Sequence, residues 1–188
     1  MKKSIMLWTL ILFLSMGSLS LAATSLKVGE ALPDITLTVN KDTVSKDYLG
    51  WGWGSSFKIS EIEARYVLIE IFSMYCPYCQ AEAPNVNKLY GKIQANPKLR
   101  DNIKLIGIGV GNTVFEVKTF KTKYKISFPL FADADYVIHK QLGEVRTPYF
   151  IGVKINADGS TRIIYSQLGV LGDVDQFLKQ FIALTDLK

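Results

Sequence analysis

The chain has 188 residues, 48% of them hydrophobic, with 22 lysines and arginines against 17 acids and a net charge of +5. That is enough for one domain with a sizeable core, and the charge is too mild and too evenly spread for a nucleic-acid partner. With two cysteines and one histidine, the chain lacks the four Cys or His ligands of most structural zinc sites, and only a site shared between chains could supply them.

In chain order, Lys2 and Lys3 precede an apolar stretch from Ile5 to Met16, and Ser20-Leu21-Ala22 offers small residues to a signal peptidase. This predicts an export leader, residues 1–22, cleaved after Ala22. The alternative is an uncleaved anchor, since Ile5 to Ala22 is about long enough to cross a bilayer. There is no lipidation cysteine in the leader. Without it the basic residues fall from 22 to 20 against 17 acids, a net +3, in a compartment where disulfides form and persist.

The predicted domain, residues 23–188, opens with a short strand at Ile35–Val39, then a polar, glycine-rich stretch from Lys46 to Ser56 that holds Trp51 and Trp53. Those two tryptophans fit an exposed partner-binding patch or a cover over the core equally well. Tyr66–Phe72 is β-branched and aromatic, as a strand buried on both faces should be, and a helix from Pro77 to about Gln94 follows it, with Pro84 removing one bond and kinking it. Ile103–Val110 is expected as a buried strand, Val114–Tyr124 as an amphipathic helix, Phe128–Phe131 as a short strand and Asp135–Leu142 as a short helix. Lys118, Lys121, Lys123 and Lys125 read as a solvated face, and His139 as structural or solvated. Tyr149–Ile155 and Thr161–Ser166 make a hairpin about Asn156-Ala157-Asp158-Gly159, and Asp173 caps a last helix to about Leu184. Strands alternating with helices, then a hairpin and a helix, give an α/β fold with a central sheet and helices on both faces.

Both cysteines, Cys76 and Cys79, fall where the strand hands over to the helix. Pro77 suits the first helical position, which leaves Cys76 at the N-cap. There the free N–H groups and the helix dipole stabilise a thiolate, bringing its pKa from about 8.5 into the range of roughly 3.5 to 7.5. Cys76 is then the nucleophile, and Cys79, three residues on along the same helix face, the resolving thiol. A structural disulfide is the weaker alternative, because so short a loop contributes only about 2 kcal/mol against nearly 5 for about 100 residues. Glu70, in a strand apolar on both faces, should have a raised pKa and could act as a base near neutral pH; at a strand edge it would merely reach water.

Together these residues resemble the thioredoxin fold and, within it, the TlpA/ResA-like exported thiol-disulfide oxidoreductases. The likeness spans nearly the whole expected domain and rests on strand, Cys76-Pro77-Tyr78-Cys79 and helix; on Glu70, six residues before Cys76; on Cys79-Gln80-Ala81-Glu82-Ala83-Pro84, which is similar to a C-x-x-E-x-P run; and on Arg146-Thr147-Pro148 ahead of the hairpin. The resemblance implies a buried acid, Glu70, beneath the resolving sulfur. It also implies a cis bond at Pro148, with Thr147 pairing its backbone to an extended client and Pro77 and Tyr78 flanking it. The clients implied are protein disulfides or dithiols, with a membrane-spanning thiol donor and no cofactor. The Pro-Tyr dipeptide is similar to that of glutaredoxins, and Phe72-Ser73 with Cys76-Pro77 to DsbA-like oxidases; the Cys79–Pro148 interval leaves no room for the large helical insertion of DsbA. Leu105–Asp133 also resembles the peroxiredoxin side of the superfamily, although position 69 is Ile rather than the proline such peroxidases place ahead of the cysteine. A non-catalytic partner-binding module, or a metal- or haem-pathway chaperone, that uses the dithiol to hold rather than to exchange is the third class.

Overall fold

The computed structural model describes residues 26–40, 46–52 and 54–187; the leader and Trp53 lie outside them. Seven strands and six α-helices are present among the described residues. In order they are β1 (Thr36–Thr38), α1 (Lys46–Leu49), β2 (Ser56–Lys58), β3 (Tyr66–Phe72), α2 (Pro77–Ala95), α3 (Pro97–Asn102), β4 (Ile103–Val110), α4 (Val114–Lys123), β5 (Leu130–Asp133), α5 (Val137–Gln141), β6 (Tyr149–Ile155), β7 (Thr161–Leu168) and α6 (Val174–Ala183).

Five strands form the central sheet in the order β5-β4-β3-β6-β7. β3 sits in the middle, parallel to β4 and antiparallel to β6, with Glu70 opposite Gly107 on one side and Phe150 on the other. Every residue of β3 is buried, as a strand covered on both faces requires. Its side chains alternate between two cores. Tyr66, Leu68 and Phe72 face a cluster with Cys79, Val86 and Leu89 of α2, Phe120 of α4 and Phe177 and Phe181 of α6. Val67, Ile69 and Ile71 face the other, with Leu37, Leu49, Phe57 and Ile138. The second face is thus covered by α1, α5 and the antiparallel β1–β2 pair rather than by long helices. Each such aliphatic side chain, fully buried, contributes about 1.5–3 kcal/mol.

Several boundaries differ from the sequence reading. The strand expected at Phe128–Phe131 begins at Leu130: the Pro129 carbonyl still accepts the Gly107 amide of β4 at 2.9 Å, but Pro129 has no N–H with which to extend the ladder backward. The helix expected from Asp135 starts at Val137, since Tyr136 has a left-handed backbone (φ 59°) and the Asp133 carboxylate takes the amides of Ile138 and His139 at 3.0 and 2.8 Å. α1, β2 and α3 were not foreseen; α3 is started by Asn96, whose side chain accepts from the Leu99 amide, and Pro97. α2 runs unbroken past Pro84. Trp51 is buried against Phe57, 5.2 Å between ring centres, and so covers the second core.

Candidate active site

The turn from β3 into α2 is held by side chains from elsewhere. Asn112, fully buried just beyond β4, accepts the Met74 amide at 2.8 Å through Oδ1 and donates to Ser73 Oγ at 3.4 Å through Nδ2. Gln80 Nε2 donates to the Met74 carbonyl at 2.7 Å, so both peptide groups of Met74 are taken. Room for Asn112 comes from Gly109, where a Cβ would lie 2.9 Å from Val117 Cγ2 and 3.2 Å from Asn112 Oδ1. The Cys76 amide closes the turn on the Ser73 carbonyl at 3.0 Å.

Cys76 is therefore placed at the N-cap of α2 with extended backbone, and Pro77 occupies the first turn. Both cysteines are free thiols. Cys76 Sγ accepts the Cys79 amide at 3.4 Å and donates to the Thr147 carbonyl at 3.4 Å. Partial burial is the largest single influence on its pKa and pushes it up; hydrogen bonds with the Thr147 and Cys79 side chains and the amides of Cys79 and Tyr78 together outweigh burial, and the thiol is lowered. Cys79 is fully buried, and burial, then the hydrogen bond with Cys76, pushes its thiol far up. One sulfur favours the thiolate and reaches the surface, whereas the other stays protonated within the core.

Glu70 occupies the alternate position between Leu68 and Phe72 in β3, which turns it toward α2 and Cys79. It is 2% exposed and its Oε1 has no hydrogen-bond partner. Burial above all, then the Glu82 carboxylate and Cys76, raises its pKa to about 8. Glu70 is thus in the central strand and reaches no edge. Glu82, one turn beyond Cys79, is also buried; its Oε1 accepts the Leu171 amide at 2.8 Å and its Oε2 accepts from Asn85 Nδ2 at 3.3 Å.

Thr147–Pro148 is a cis peptide. Pro148 is buried and its carbonyl accepts the Gly169 amide at 2.9 Å, tying this loop to the end of β7. From the other side His139 Nε2 lies 2.9 Å from the Val145 carbonyl, which can only accept, so that nitrogen carries the proton. Tyr75 and Tyr78 are exposed on either side of Cys76, and the Tyr75 hydroxyl donates to Glu116. No group of three or more metal-binding side chains occurs among the described residues. The structure thus brings Cys76, Cys79, Thr147 and Pro148 together with Pro77 and Tyr78, over Glu70. Asn112, Gln80 and Glu82 were not singled out from sequence as site residues. Glu82 was visible within the C-x-x-E-x-P run, but the partners of Asn112 stand 38 and 39 residues away, and no local pattern marks that.

The AhpC/TSA family profile matches residues 28–167. The thiol-disulfide oxidoreductase ResA of Halalkalibacterium halodurans is 27% identical over 131 residues, 70% of this chain and 68% of that protein. The thioredoxin domain of a thiol-disulfide oxidoreductase from Bacteroides vulgatus superposes with a TM-score of 0.61 at 19% identity, covering 84% of this chain and 99% of that one. A secreted Mycobacterium tuberculosis disulfide oxidoreductase, homologous to DsbE of E. coli, superposes at 0.55 with 23% identity, covering 80% and 96%. The sheet order, the dithiol at a helix N-cap and the match over most of the chain agree: this chain belongs to the AhpC/TSA family and has the thioredoxin fold.

Proposed function

We propose that this chain, a thiol-disulfide oxidoreductase, uses Cys76 and Cys79 to reduce or shuttle disulfides of exported proteins. The observation that carries this reading is the opposite tuning of the two sulfurs, Cys76 lowered and partly accessible, Cys79 raised and buried. The Cys76 thiolate attacks one sulfur of a client disulfide; that S–S bond breaks, the client's other sulfur leaves and takes a proton, and a Cys76–client disulfide forms. Cys79 then gives its proton to Glu70, which is ionised in a minor fraction near neutral pH and increasingly so toward pH 8, and attacks Cys76 Sγ, releasing the client's second thiolate. The client gains two electrons and Cys76–Cys79 becomes the disulfide, which a membrane-spanning thiol donor would reduce again. Thr147 and Pro148, with Pro77 and Tyr78, would hold the client segment, and no cofactor is needed.

Export is supported by Lys2, Lys3 and the apolar run behind them and by the secretion of one structural relative; it would place the dithiol where client disulfides form and persist. The leader, residues 1–22, would be cleaved after Ala22 or remain as an anchor; among the described residues no helix is long and apolar enough to cross a membrane.

The reduction potential of the Cys76–Cys79 couple tests the direction. A value near or below about −250 mV supports a reductant, whereas about −120 to −180 mV would make the protein a DsbA-like oxidase or an isomerase. The family match also covers the Leu105–Asp133 region similar to peroxiredoxins, so hydrogen peroxide consumption is the second assay. Turnover of peroxide faster than of protein disulfides would replace this reading with a thiol peroxidase.

A further inference from the structure

The edge of the sheet that carries Cys76 also gathers the exposed apolar side chains. β7 runs parallel to β3, because each is antiparallel to β6, so β3, β4, β5 and β7 all end on this edge. Ten large apolar side chains are exposed among the described residues, and all but Val28 and Leu184 lie within six residues of those four strand ends. Here a hollow of about 440 Å³ opens beside Thr147, walled by Tyr78, Pro148, Leu168 and Val170, a size within the range of a ligand pocket. Arg146 is the one charged residue lining it. Its side chain is exposed and makes no ion pair among the described residues. Arg146 and Thr147 also line a second hollow of about 420 Å³, which they share with Glu144, Tyr136 and His139.

A client joined to Cys76 must pass the Thr147 carbonyl, 3.4 Å from Sγ. An extended chain advances about 3.3 Å per residue, so a position one or two residues from the client's cysteine reaches the hollow. We propose that this hollow selects extended client segments in which the disulfide cysteine is flanked by a bulky apolar residue and then an acidic one, the apolar side chain filling the space between Tyr78 and Leu168 and the carboxylate pairing with Arg146. Guanidinium and carboxylate match in shape as well as charge, and a lysine at the same client position meets a like charge instead. This rests on the exchange reading above and adds what the exchange discriminates.

The test uses synthetic peptides whose single cysteine carries 2-nitro-5-thiobenzoate in disulfide linkage, followed by Phe-Asp, Phe-Lys or Ser-Asp. The reduced protein displaces the coloured thiolate as Cys76 bonds to the peptide sulfur, and the second-order rate is read at low and at high salt. The Phe-Asp peptide should react on the order of fivefold faster than Phe-Lys, the scale of an exposed ion pair, and faster than Ser-Asp. High salt should compress the charge preference. Arg146→Gln should abolish it and Arg146→Glu invert it, ratios that a general loss of activity would not produce. Equal rates for Phe-Asp and Phe-Lys, or a preference unchanged in Arg146→Glu, overturn the proposal, as does a dimer in sedimentation velocity whose dissociation alone uncovers the hollow. No reaction with any peptide would instead overturn the exchange reading itself.

Discussion

Replacing Glu70 by glutamine should make the reduced protein more stable at neutral and alkaline pH while slowing its release of a client. Burial lifts the carboxyl from its ordinary 4.5 to about 8. The unfolded chain surrenders this proton from about pH 4.5 upward, whereas the folded chain keeps it to about pH 8, so between those values the native state binds more protons and loses stability as pH rises. At about 1.4 kcal/mol per pH unit, the rise from 4.5 to about 8 amounts to about 5 kcal/mol, absent below the lower value and complete above the upper one. Glutamine has nearly the shape of the protonated acid and cannot ionise, so the variant escapes that loss. Urea unfolding of both proteins under reductant at pH 5, 7 and 9 should give a stability difference under about 1 kcal/mol at pH 5, about 3 at pH 7 and more at pH 9. Taking the difference cancels the other titrating groups, which the two proteins share. A difference that does not grow with pH would refute the buried, raised carboxyl. In the same variant, resolution of a preformed Cys76–client disulfide should slow more than its formation, because only resolution must move the Cys79 proton; equal slowing of both would point to damaged packing.

Cys79→Ser should accumulate mixed disulfides on Cys76 that survive non-reducing electrophoresis, and Cys76→Ser should form none; traps in both or in neither would contradict the assignment of nucleophile and resolving thiol. Alkylation of the native protein by iodoacetamide should follow Cys76 alone, with a rate midpoint below the ordinary thiol value of 9.0, while Cys79 stays unmodified until the protein unfolds. A midpoint at or above 9.0 would remove the N-cap from the account. Asn112→Ala strips the Met74 amide of its acceptor and should cost about 1–2 kcal/mol in urea unfolding. It should also move the Cys76 alkylation midpoint upward, since the turn that aims the sulfur at the helix N-terminus is loosened; lost stability with an unmoved midpoint would make Asn112 a support of the fold alone.

The order of major elements and the dithiol were legible because their signals are local. Tyr66–Phe72 is uniformly apolar but for one acid, Pro77 marks a helix start, and Asp158-Gly159 marks a turn in which Gly159 takes φ 80°. What escaped was set by distant partners. α1 is four residues long, and its apolar residue Leu49 is explained only by the core it enters, with Phe57 and Ile106. Asn112 carries no mark in its own neighbourhood, because the groups it binds belong to the turn after another strand. Trp51 was undecided between surface and core for the same reason, until Phe57 appeared against it. The position of β5 was a matter of backbone chemistry, the missing N–H of Pro129, which an apolar run obscures.

β3 at the centre of the sheet has its consequence in time as well as space. It pairs on one side with β4 and on the other with β6, where Glu70 meets Phe150, so the middle of the molecule stays half-paired until eighty further residues have been made. Asp186 then accepts from the Tyr66 hydroxyl and pairs with Arg65, fastening the start of that strand from a point 120 residues downstream. Both cysteines are therefore made long before β6 and α6 can close over them. During that interval Cys79 lacks the cover that Phe150 of β6 and Phe177 and Phe181 of α6 give its cluster, and that share of the distinction between the two sulfurs is acquired only when the last elements dock.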